Sequence, residues 1–427
     1  MRRTAARPRP GHSLILHEGA QALVPALVTA MDAAQHQIRL ETYIFDFTGA
    51  GALVGEALER AAQRGVEVCV LVDGLGTPSL PTDWTRRFVA AGVQWRVFSP
   101  VNMLALLLPG RWRRLHRKLC LVDGRVLFCG GINILDDFFD PSYGSLRAPR
   151  LDYAVQVSGP LVDDAGVTMA RLWARQTPLG QSRHGQSAGT GTGVDGALAR
   201  ASGLRSGARD ALRLGRTRRV GVPAAKPLEA SAAEPAQAMA ALLLRDNLLH
   251  RRRIESAYLR AIGLARREVL IANAYFVPGF KLRRALVLAA QRGVRVRLLL
   301  QGQYEYFMQY HAARAVYGVL LAAGVEIVEY APSFLHAKVA VIDGRWATVG
   351  SSNLDPLSLL VANEANVVVD EAWFARILRR RLLHAIRTAG APLSATQYAR
   401  RPLRQRVFEY VAMLVMRLAL LVSGKRY

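Results

Sequence analysis

An internal repeat constrains the fold of this chain more than any other feature of its sequence. The stretch AAQRGVEVCVLVDG at 61–74 recurs as AAQRGVRVRLLLQG at 289–302. Upstream, IRLETYIF at 38–45 parallels VLIANAYFVP at 269–278, and a helix-like segment precedes each of these strand-like stretches. Each half therefore reads helix, strand, helix, strand, which predicts two equivalent α/β domains.

The 427 residues are enough for two such domains. We predict a first α/β domain at 12–176 and a second at 238–400, related by a pseudo-twofold axis. Each is expected to hold a mixed, mostly parallel sheet flanked by helices. Residues 177–237 are rich in Gly, Ala and Arg and are predicted to form a linker, and residues 401–427 are predicted to form an amphipathic helix.

Charge and cysteine usage indicate the setting. The chain carries 57 basic and 32 acidic residues, a formal net charge of +25, so a large anionic partner is expected; nucleic acid and anionic lipid both fit. Cys69, Cys120 and Cys129 are an odd number in strand-like stretches, which argues against a disulfide framework and favours a reducing cytosolic compartment. The basic N-terminus lacks an apolar secretory core, and we expect no signal peptide.

A polar motif interrupts two apolar strands at matching places. LHRKLCLVDG at 115–124 and LHAKVAVIDG at 335–344 share histidine, then lysine two positions later, and five further identities follow. In the first half the lysine and the five further residues are Lys118, Asp123, Gly124, Arg125, Gly130 and Asn133. In the second half they are Lys338, Asp343, Gly344, Arg345, Gly350 and Asn353. Positions i and i+2 of a strand face one side. One copy would suit a solvated strand, but two copies in register predict a site.

The residue types favour an anionic substrate such as a phosphodiester. Each half supplies one histidine and a lysine that repels cations, so we expect no metal. Lysines and asparagines can cradle phosphate oxygens while a neutral imidazole attacks phosphorus and an opposing imidazolium protonates the departing alcohol. Histidine suits both tasks because its ordinary pKa is about 6.5. No GxxxxGK[ST] loop occurs, and no cofactor is expected.

At this point the chain resembles the phospholipase D superfamily, whose signature HxKxxxxD, followed by a Gly/Ser-rich segment with Asn, occurs twice. Within it, the chain looks most like bacterial cardiolipin synthases without N-terminal membrane spans. The resemblance covers roughly residues 12–175 and 240–375. The supporting stretches are ETYIF, RGVEVCVLVDGLG, LHRKLCLVDGRVLFCGGIN, LRDN, YFVP and FLHAKVAVIDGRWATVGSSNLD.

The resemblance implies roles for individual residues. The catalytic set is His116, Lys118, Asp123, His336, Lys338 and Asp343. His116 is the expected nucleophile and His336 the acid/base, and the near symmetry of the repeat leaves the reverse order open. Phosphate contacts are expected from Lys118, Asn133, Lys338, Ser351 and Asn353.

Each histidine should also have a downstream carboxylate that orients it. Glu364 matches in the second half and Asp152 is its counterpart in the first; ordinary salt bridges are the alternative. Asp123 and Asp343 are expected to serve structure by hydrogen-bonding backbone at the Asp-Gly turn. The first half reads GGIN where the second reads GSSN, so a hydroxyl contact is expected only from the second.

The surroundings of the motifs favour lipid over nucleic acid. VNMLALLLPGRWRR at 101–114 suits an acyl chain beside a headgroup phosphate, although it could form a buried helix or strand. In the tail, Arg406, Glu409 and Arg417 fall on one arc of a helix that is otherwise apolar, so it fits a membrane interface or core packing. Both apolar runs are shorter than the about 20 residues of a spanning helix. QYEYFMQYH at 303–311 would line the substrate entrance.

The predicted activity is transfer of a phosphatidyl group between two phosphatidylglycerol molecules, which yields cardiolipin and glycerol. The expected partners are anionic phospholipids and a membrane surface, with no nucleic acid. The expected location is peripheral, on the cytoplasmic side of a bacterial cytoplasmic membrane. The alternatives are a phospholipase D or nuclease that uses water, and a non-catalytic membrane or DNA scaffold.

Overall fold

The computed structural model describes residues 7–100, 113–140, 143–176, 237–246, 250, 252–303, 307–355 and 362–422. The first half precedes the predicted linker and the second follows it. The strands of the first half are β1 (Arg9–Glu18), β2 (Gln37–Thr42), β3 (Glu67–Asp73), β4 (Gln94–Phe98), β5 (Arg114–Leu115), β6 (Lys118–Val122), β7 (Val126–Gly130), β8 (Phe139–Asp140), β9 (Gly144–Ser145) and β10 (Tyr153–Ser158). Its helices are α1 (Gly19–Asp32), α2 (Gly49–Gln63), α3 (Thr82–Ala91) and α4 (Leu161–Ala174).

The second half repeats this plan. Its strands are β11 (Ala238–Arg245), β12 (Glu268–Asn273), β13 (Arg295–Gln301), β14 (Glu326–Tyr330), β15 (Lys338–Ile342), β16 (Trp346–Gly350) and β17 (Ala362–Asp370). Its helices are α5 (Arg253–Leu264), α6 (Phe280–Gln291), α7 (Phe307–Ala322), α8 (Ala372–Ala389), α9 (Ala395–Ala399) and α10 (Leu403–Val422).

The repeated QRG sequence ends a helix in the same way in both halves. Gly65 and Gly293 have φ of 90° and 84°, in the left-handed region that favours glycine. After α2, the Val66 N–H donates to the Ala61 carbonyl and the Gly65 N–H to the Ala62 carbonyl, the two bonds of a Schellman cap. The same bonds follow α6. The sequence repeat therefore encodes a repeated helix-to-strand connection.

The two halves form one continuous sheet with a symmetric strand order. The order is β14-β13-β12-β15-β16-β17-β11-β1-β10-β7-β6-β2-β3-β4. Read outward from the centre, β11 to β14 follow the same sequence of equivalent strands as β1 to β4. The central pair, β1 and β11, is antiparallel. Two equivalent strands that pair antiparallel imply a local twofold axis between them, and the predicted two-part α/β fold is confirmed.

The prediction of mostly parallel sheets is wrong in its strand directions. Parallel pairs are limited to β2–β3, β3–β4, β12–β13, β13–β14 and the short β5–β17 contact among the described strands. The other neighbours in the sheet order are antiparallel. One cause is the Asp-Gly turn: Asp123 and Gly124 have φ of 50° and 65°, the geometry of a tight hairpin, so β6 must return antiparallel as β7.

The largest hydrophobic cluster is shared by the two halves. Leu119 and Val155 of the first half lie in one cluster with Val339 and Val367 of the second, and Leu378 of α8 packs against them. Because apolar burial contributes about 25 cal/mol per Å², a shared cluster stabilises the association of the halves as well as each half. Separate clusters lie beneath the outer helices of each half.

Several sequence predictions concern residues that the structure describes only in part. The linker at 177–237 lies almost wholly outside the described residues, as does the apolar stretch at 101–114, and the domain boundaries stay predictions. Cys69, Cys120 and Cys129 are buried free thiols. Of the helices that the structure describes, none has the length and apolar character needed to cross a bilayer.

Candidate active site

Each histidine motif is attached to the strand that carries the carboxylate of the other half. The backbone N–H of His116 donates to the Asn363 carbonyl at 3.0 Å, next to the parallel pairing of β5 with β17. The N–H of His336 donates to the Leu151 carbonyl at 2.9 Å. These backbone bonds bring both histidines to the junction of the two halves.

The orienting carboxylates contact the histidines, but across the junction. Nδ1 of His116 lies 3.0 Å from Oε1 of Glu364, and Nδ1 of His336 lies 2.7 Å from Oδ2 of Asp152. The assignment of each carboxylate to the histidine of its own half is therefore wrong. The reason is that β5 pairs with β17 and Leu151 pairs with Leu335, so each downstream carboxylate faces the opposite motif. A carboxylate at Nδ1 leaves Nε2 to act on the substrate.

The two lysines are buried beside the histidines. Nζ of Lys118 donates to the His116 carbonyl at 2.7 Å, and Nζ of Lys338 donates to the His336 carbonyl. Burial, and after it the charge of Lys338, lower the pKa of Lys118 to about 7. Because a second ammonium group depresses the protonation of Lys118, a phosphate anion bound here would stabilise its charged form.

The two imidazoles differ in electrostatic setting. Burial lowers the pKa of His116, but Glu364 opposes this effect. Burial lowers the pKa of His336 well below its ordinary value, and Lys338 and Lys118 add to the effect. Burial alone would raise the pKa of the Glu364 carboxyl, but His116, Lys118 and the Ser351 hydroxyl together lower that pKa. The pKa of Asp152 is instead raised to about 7, chiefly by burial.

The sequence difference between GGIN and GSSN has a structural cause. A β-carbon added to Gly131 would overlap Oδ1 of Asp152, so that position requires glycine. At the equivalent position, the hydroxyl of Ser351 donates to Glu364 and accepts the Ala365 N–H at 3.1 Å. The predicted phosphate contact of Ser351 is thus corrected: its hydroxyl is buried and directed at the carboxylate that orients His116.

The two motif asparagines are buried near the junction. Oδ1 of Asn133 accepts the Ile44 N–H at 3.2 Å, which ties the end of the β7 segment to the chain after β2. Asn353 occupies the equivalent position in the second half and is also buried. Their predicted phosphate contacts stay predictions.

Asp123 and Asp343 make the contacts of structural residues. The Asp123 carboxylate accepts the N–H groups of residues 35, 36 and 37 at 2.8–2.9 Å. Asp343 accepts those of residues 266, 267 and 268 in the same way. Each aspartate lies five residues beyond its lysine, about 17 Å along the strand. The structure thus corrects their inclusion in the catalytic set and fits the expected role at the Asp-Gly turn.

Three residues at the site were not singled out from the sequence. Asp73 at the end of β3 accepts the Leu115 N–H at 2.6 Å, and Gln301 at the end of β13 accepts the Leu335 N–H at 3.0 Å. These side chains hold the residue before each histidine. Tyr43 packs its ring 5.2 Å from the His116 imidazole, with Nζ of Lys118 5.5 Å away. Asp73 and Gln301 occupy equivalent positions one residue before the end of the repeated stretch, but their different types gave no signal of a shared contact.

A small cavity of about 20 Å³ lies next to Gln301, the residue that accepts the Leu335 N–H. Its lining includes Gln301, Gln303, Tyr310 and Arg314. Part of the predicted entrance segment, 303–311, therefore borders this cavity, although the side chains of 304–309 lie outside the described residues. Across the described chain, His, Cys, Asp and Glu side chains form no cluster of three or more suited to hold a metal ion.

Comparisons with known proteins agree with this geometry. Residues 27–143 and 258–385 match the family described as "Cardiolipin synthase, PLD-like domain". The chain is 37% identical to cardiolipin synthase B of Escherichia coli strain K12 over 383 residues, which cover 88% of this chain and 80% of that protein. It is 29% identical to a cardiolipin synthase of Geobacillus thermodenitrificans, covering 91% of this chain and 69% of that protein.

The fold is also found among solved structures. The crystal structure of phosphatidylserine synthase from Haemophilus influenzae Rd KW20 superposes with a TM-score of 0.64 at 12% identity, covering 95% of this chain and 94% of that one. Two pseudo-equivalent α/β halves with a histidine and a lysine from each define an enzyme of the phospholipase D superfamily. The chain belongs to the family of cardiolipin synthases with phospholipase D-like domains. The predicted class of enzyme, a phosphatidyltransferase of this superfamily, is thereby confirmed.

Proposed function

We propose that this enzyme transfers a phosphatidyl group from one phosphatidylglycerol molecule to another, forming cardiolipin and glycerol through a phosphohistidine. The observation that carries the proposal is the pair of cross-junction contacts, His116 with Glu364 and His336 with Asp152. They present two oriented imidazoles beside two buried lysines. In that set, one imidazole can attack phosphorus, the other can protonate the leaving alcohol, and the lysines can neutralise the phosphate oxygens.

In the first step, the phosphodiester of the donor lipid binds between Lys118 and Lys338, with Asn133 and Asn353 as further donors. Nε2 of His116 forms a bond to phosphorus, and the bond from phosphorus to the glycerol headgroup oxygen breaks. His336 gives a proton to that oxygen, so glycerol leaves as a neutral alcohol. General acid catalysis of this kind contributes about 10²- to 10⁴-fold in rate.

The electrostatics support His116 as the nucleophile. An imidazole gains positive charge as its nitrogen bonds to phosphorus, and the lowered pKa of Glu364 keeps a negative charge beside His116. The donor must hold a proton near neutral pH. The pair of His336 and Asp152 suits this role because burial raises the pKa of Asp152 to about 7.

In the second step, a hydroxyl of the acceptor lipid gives its proton to His336 and attacks phosphorus. The bond from phosphorus to His116 breaks, and both histidines return to their starting states. One phosphodiester replaces another, so the exchange needs no nucleotide as an energy source. Water in place of the acceptor hydroxyl would give phosphatidic acid, the outcome of a phospholipase D or of a nuclease-type enzyme.

The setting of this reaction is a membrane. We propose that the enzyme binds peripherally to the cytoplasmic side of a bacterial cytoplasmic membrane and acts on anionic phospholipids, not on nucleic acid. The formal charge of +25 supports this, since cationic residues near an anionic leaflet contribute about 1 kcal/mol each.

The test is to incubate the purified full chain with phosphatidylglycerol vesicles and to analyse lipids by mass spectrometry. We expect cardiolipin and glycerol from the wild type and no product from His116→Ala or His336→Ala. His36→Ala, a change at an exposed histidine, is the matched control and should retain activity. Rapid quench during turnover should yield a peptide that carries the phosphatidyl group on His116.

Two outcomes would change the proposal. Phosphatidic acid without cardiolipin would assign the enzyme as a hydrolase. Full activity in both alanine variants would remove the histidines from the chemistry and assign catalysis to other residues.

A further inference from the structure

Helix α10 presents an apolar surface to solvent. Six large apolar side chains on it have exposed fractions of 49–72%: Leu403, Val407, Tyr410, Val411, Leu414 and Val415. Their spacing of i, i+4, i+7, i+8, i+11 and i+12 places them on one side of the helix. We name this set the α10 apolar face. A stripe with this spacing ordinarily faces a core, and here it faces outward.

The opposite side of α10 is already attached to the body of the protein. Ala412 and Met413 are buried, and Met413 belongs to the outer hydrophobic cluster of the second half. The ring of Phe408 meets that of His311 on α7 edge-on at 4.8 Å. Core packing therefore accounts for the inner side of the helix only, and the α10 apolar face needs a different partner.

The charged side chains around this face indicate which kind of partner it binds. Glu409 is the one acidic residue of the sequence from 400 to 422. It is 1% exposed and accepts bonds from Arg401 at 2.7 and 2.8 Å and from Gln405 at 3.2 Å. The outward surface of the described segment thus has no carboxylate, while Arg400, Arg404 and Arg406 are exposed beside the apolar side chains.

We propose that the α10 apolar face docks the enzyme onto an anionic phospholipid bilayer, with its apolar side chains in the acyl region and the neighbouring arginines at the lipid phosphates. The proposal deepens the proposed function and rests on it, because a lipid substrate requires a membrane-facing surface. An apolar face bordered by cations matches the acyl and phosphate layers of a bilayer. A second copy of the chain would bring another charge of +25 to the same surface, which opposes self-association.

The experiment measures sedimentation of the full chain with vesicles of equal parts phosphatidylserine and phosphatidylcholine. These vesicles lack phosphatidylglycerol, and His116→Ala serves as the background, so turnover does not enter the measurement. Val411→Glu with Leu414→Glu should lower partitioning to the vesicles about tenfold or more, since two apolar side chains lose a favourable transfer. Val411→Ser with Leu414→Ser should lower it less, in a chain with the wild-type melting temperature.

The matched control is Val89→Glu with Val167→Glu, at exposed valines on α3 and α4 with exposed fractions of 74% and 50%. This variant should bind vesicles like its background. Arg404→Gln with Arg406→Gln should reduce the preference for anionic over pure phosphatidylcholine vesicles. That preference is an electrostatic readout, which a purely structural role of the arginines would not change.

Two results would overturn the proposal. Undiminished partitioning of the Val411→Glu, Leu414→Glu variant would place the docking surface elsewhere. A wild-type dimer that this variant converts to monomer, without vesicle binding by either, would identify a second copy as the partner. Neither result bears on cardiolipin formation, and a chain with His116 intact that binds vesicles but forms no cardiolipin would count against the proposed function alone.

Discussion

Nδ1 of His116 lies 3.0 Å from a carboxylate oxygen of Glu364, a residue 248 positions further along the chain. The reciprocal contact joins His336 to Asp152. Each motif histidine thus takes its carboxylate from the opposite half. The candidate active site therefore forms only when the two halves associate, and the shared hydrophobic cluster stabilises this association.

The Glu364 carboxylate is expected to act through charge. Glu364→Gln keeps a hydrogen-bond acceptor near Nδ1 of His116 but removes the negative charge that stabilises a positively charged phosphohistidine. We expect the rate of phosphohistidine formation, measured by rapid quench, to fall about a hundredfold or more. Asp370→Asn on the same strand removes an exposed ion pair with Arg345 and should change the rate less than about twofold. A wild-type rate for Glu364→Gln would refute this role.

The site should lose activity as pH rises. Lys118, with its pKa lowered to about 7, and Asp152, with its pKa raised to about 7, both hold a proton below that pH and release it above. Phosphate binding needs the charged lysine and catalysis needs the donor proton, so kcat/KM should decline above about pH 7. In Lys118→Arg the guanidinium stays charged, and the decline should become shallower. A profile that is flat between about pH 6 and about pH 9 would contradict both assignments.

Asp73 is expected to position the segment that carries His116. Its two carboxylate oxygens accept the N–H groups of Leu75 and Leu115 at 2.8 and 2.6 Å in a buried setting. Asp73→Ala leaves both donors without this acceptor, so we expect the free energy of unfolding to fall by about 1–3 kcal/mol per unsatisfied group. Urea denaturation and kcat should both decrease. Asp83→Ala, at an exposed aspartate, should lie within about 0.5 kcal/mol of the wild type, and equal effects would argue against the positioning role.

Gly131 is expected to tolerate no side chain. Gly131→Ala places a methyl group against the Asp152 carboxylate, so it should displace the partner of His336 and cost about 1–3 kcal/mol of stability. Thermal unfolding and cardiolipin formation should both report the change. Gly318→Ala is the control, because a β-carbon there meets nothing within 4 Å and alanine favours the helix by about 0.5–1 kcal/mol. Normal activity of Gly131→Ala would show that Asp152 can move without consequence.

Local patterns in the chain were enough to predict the equivalence of the halves and the paired motifs. The QRG caps and the Asp-Gly turns depend on a few adjacent residues, and the turn formed as expected at Asp123. Strand direction was misjudged because helix and strand alternation suggested parallel crossovers. The turn at Asp123 and Gly124 already carried the hairpin signal.

The partners of site residues were less accessible from sequence. A serine hydroxyl is a residue type that commonly binds phosphate. The Ser351 hydroxyl instead donates a hydrogen bond to Glu364, because β16 and β17 are neighbours in the sheet. Asp73 and Gln301 differ in type, so their shared contact with the residue before each histidine is visible only when the strands are assembled.

The amino-acid sequence by itself determined which residue types form the candidate phosphate site, since the repeated spacing singles out His116, Lys118 and their copies. Tertiary structure alone decided that each histidine takes its carboxylate from the opposite half. The physical reason is that the hydrogen-bond partner of a side chain depends on proximity in space, and the antiparallel union of β1 with β11 brings Glu364 to His116 and Asp152 to His336.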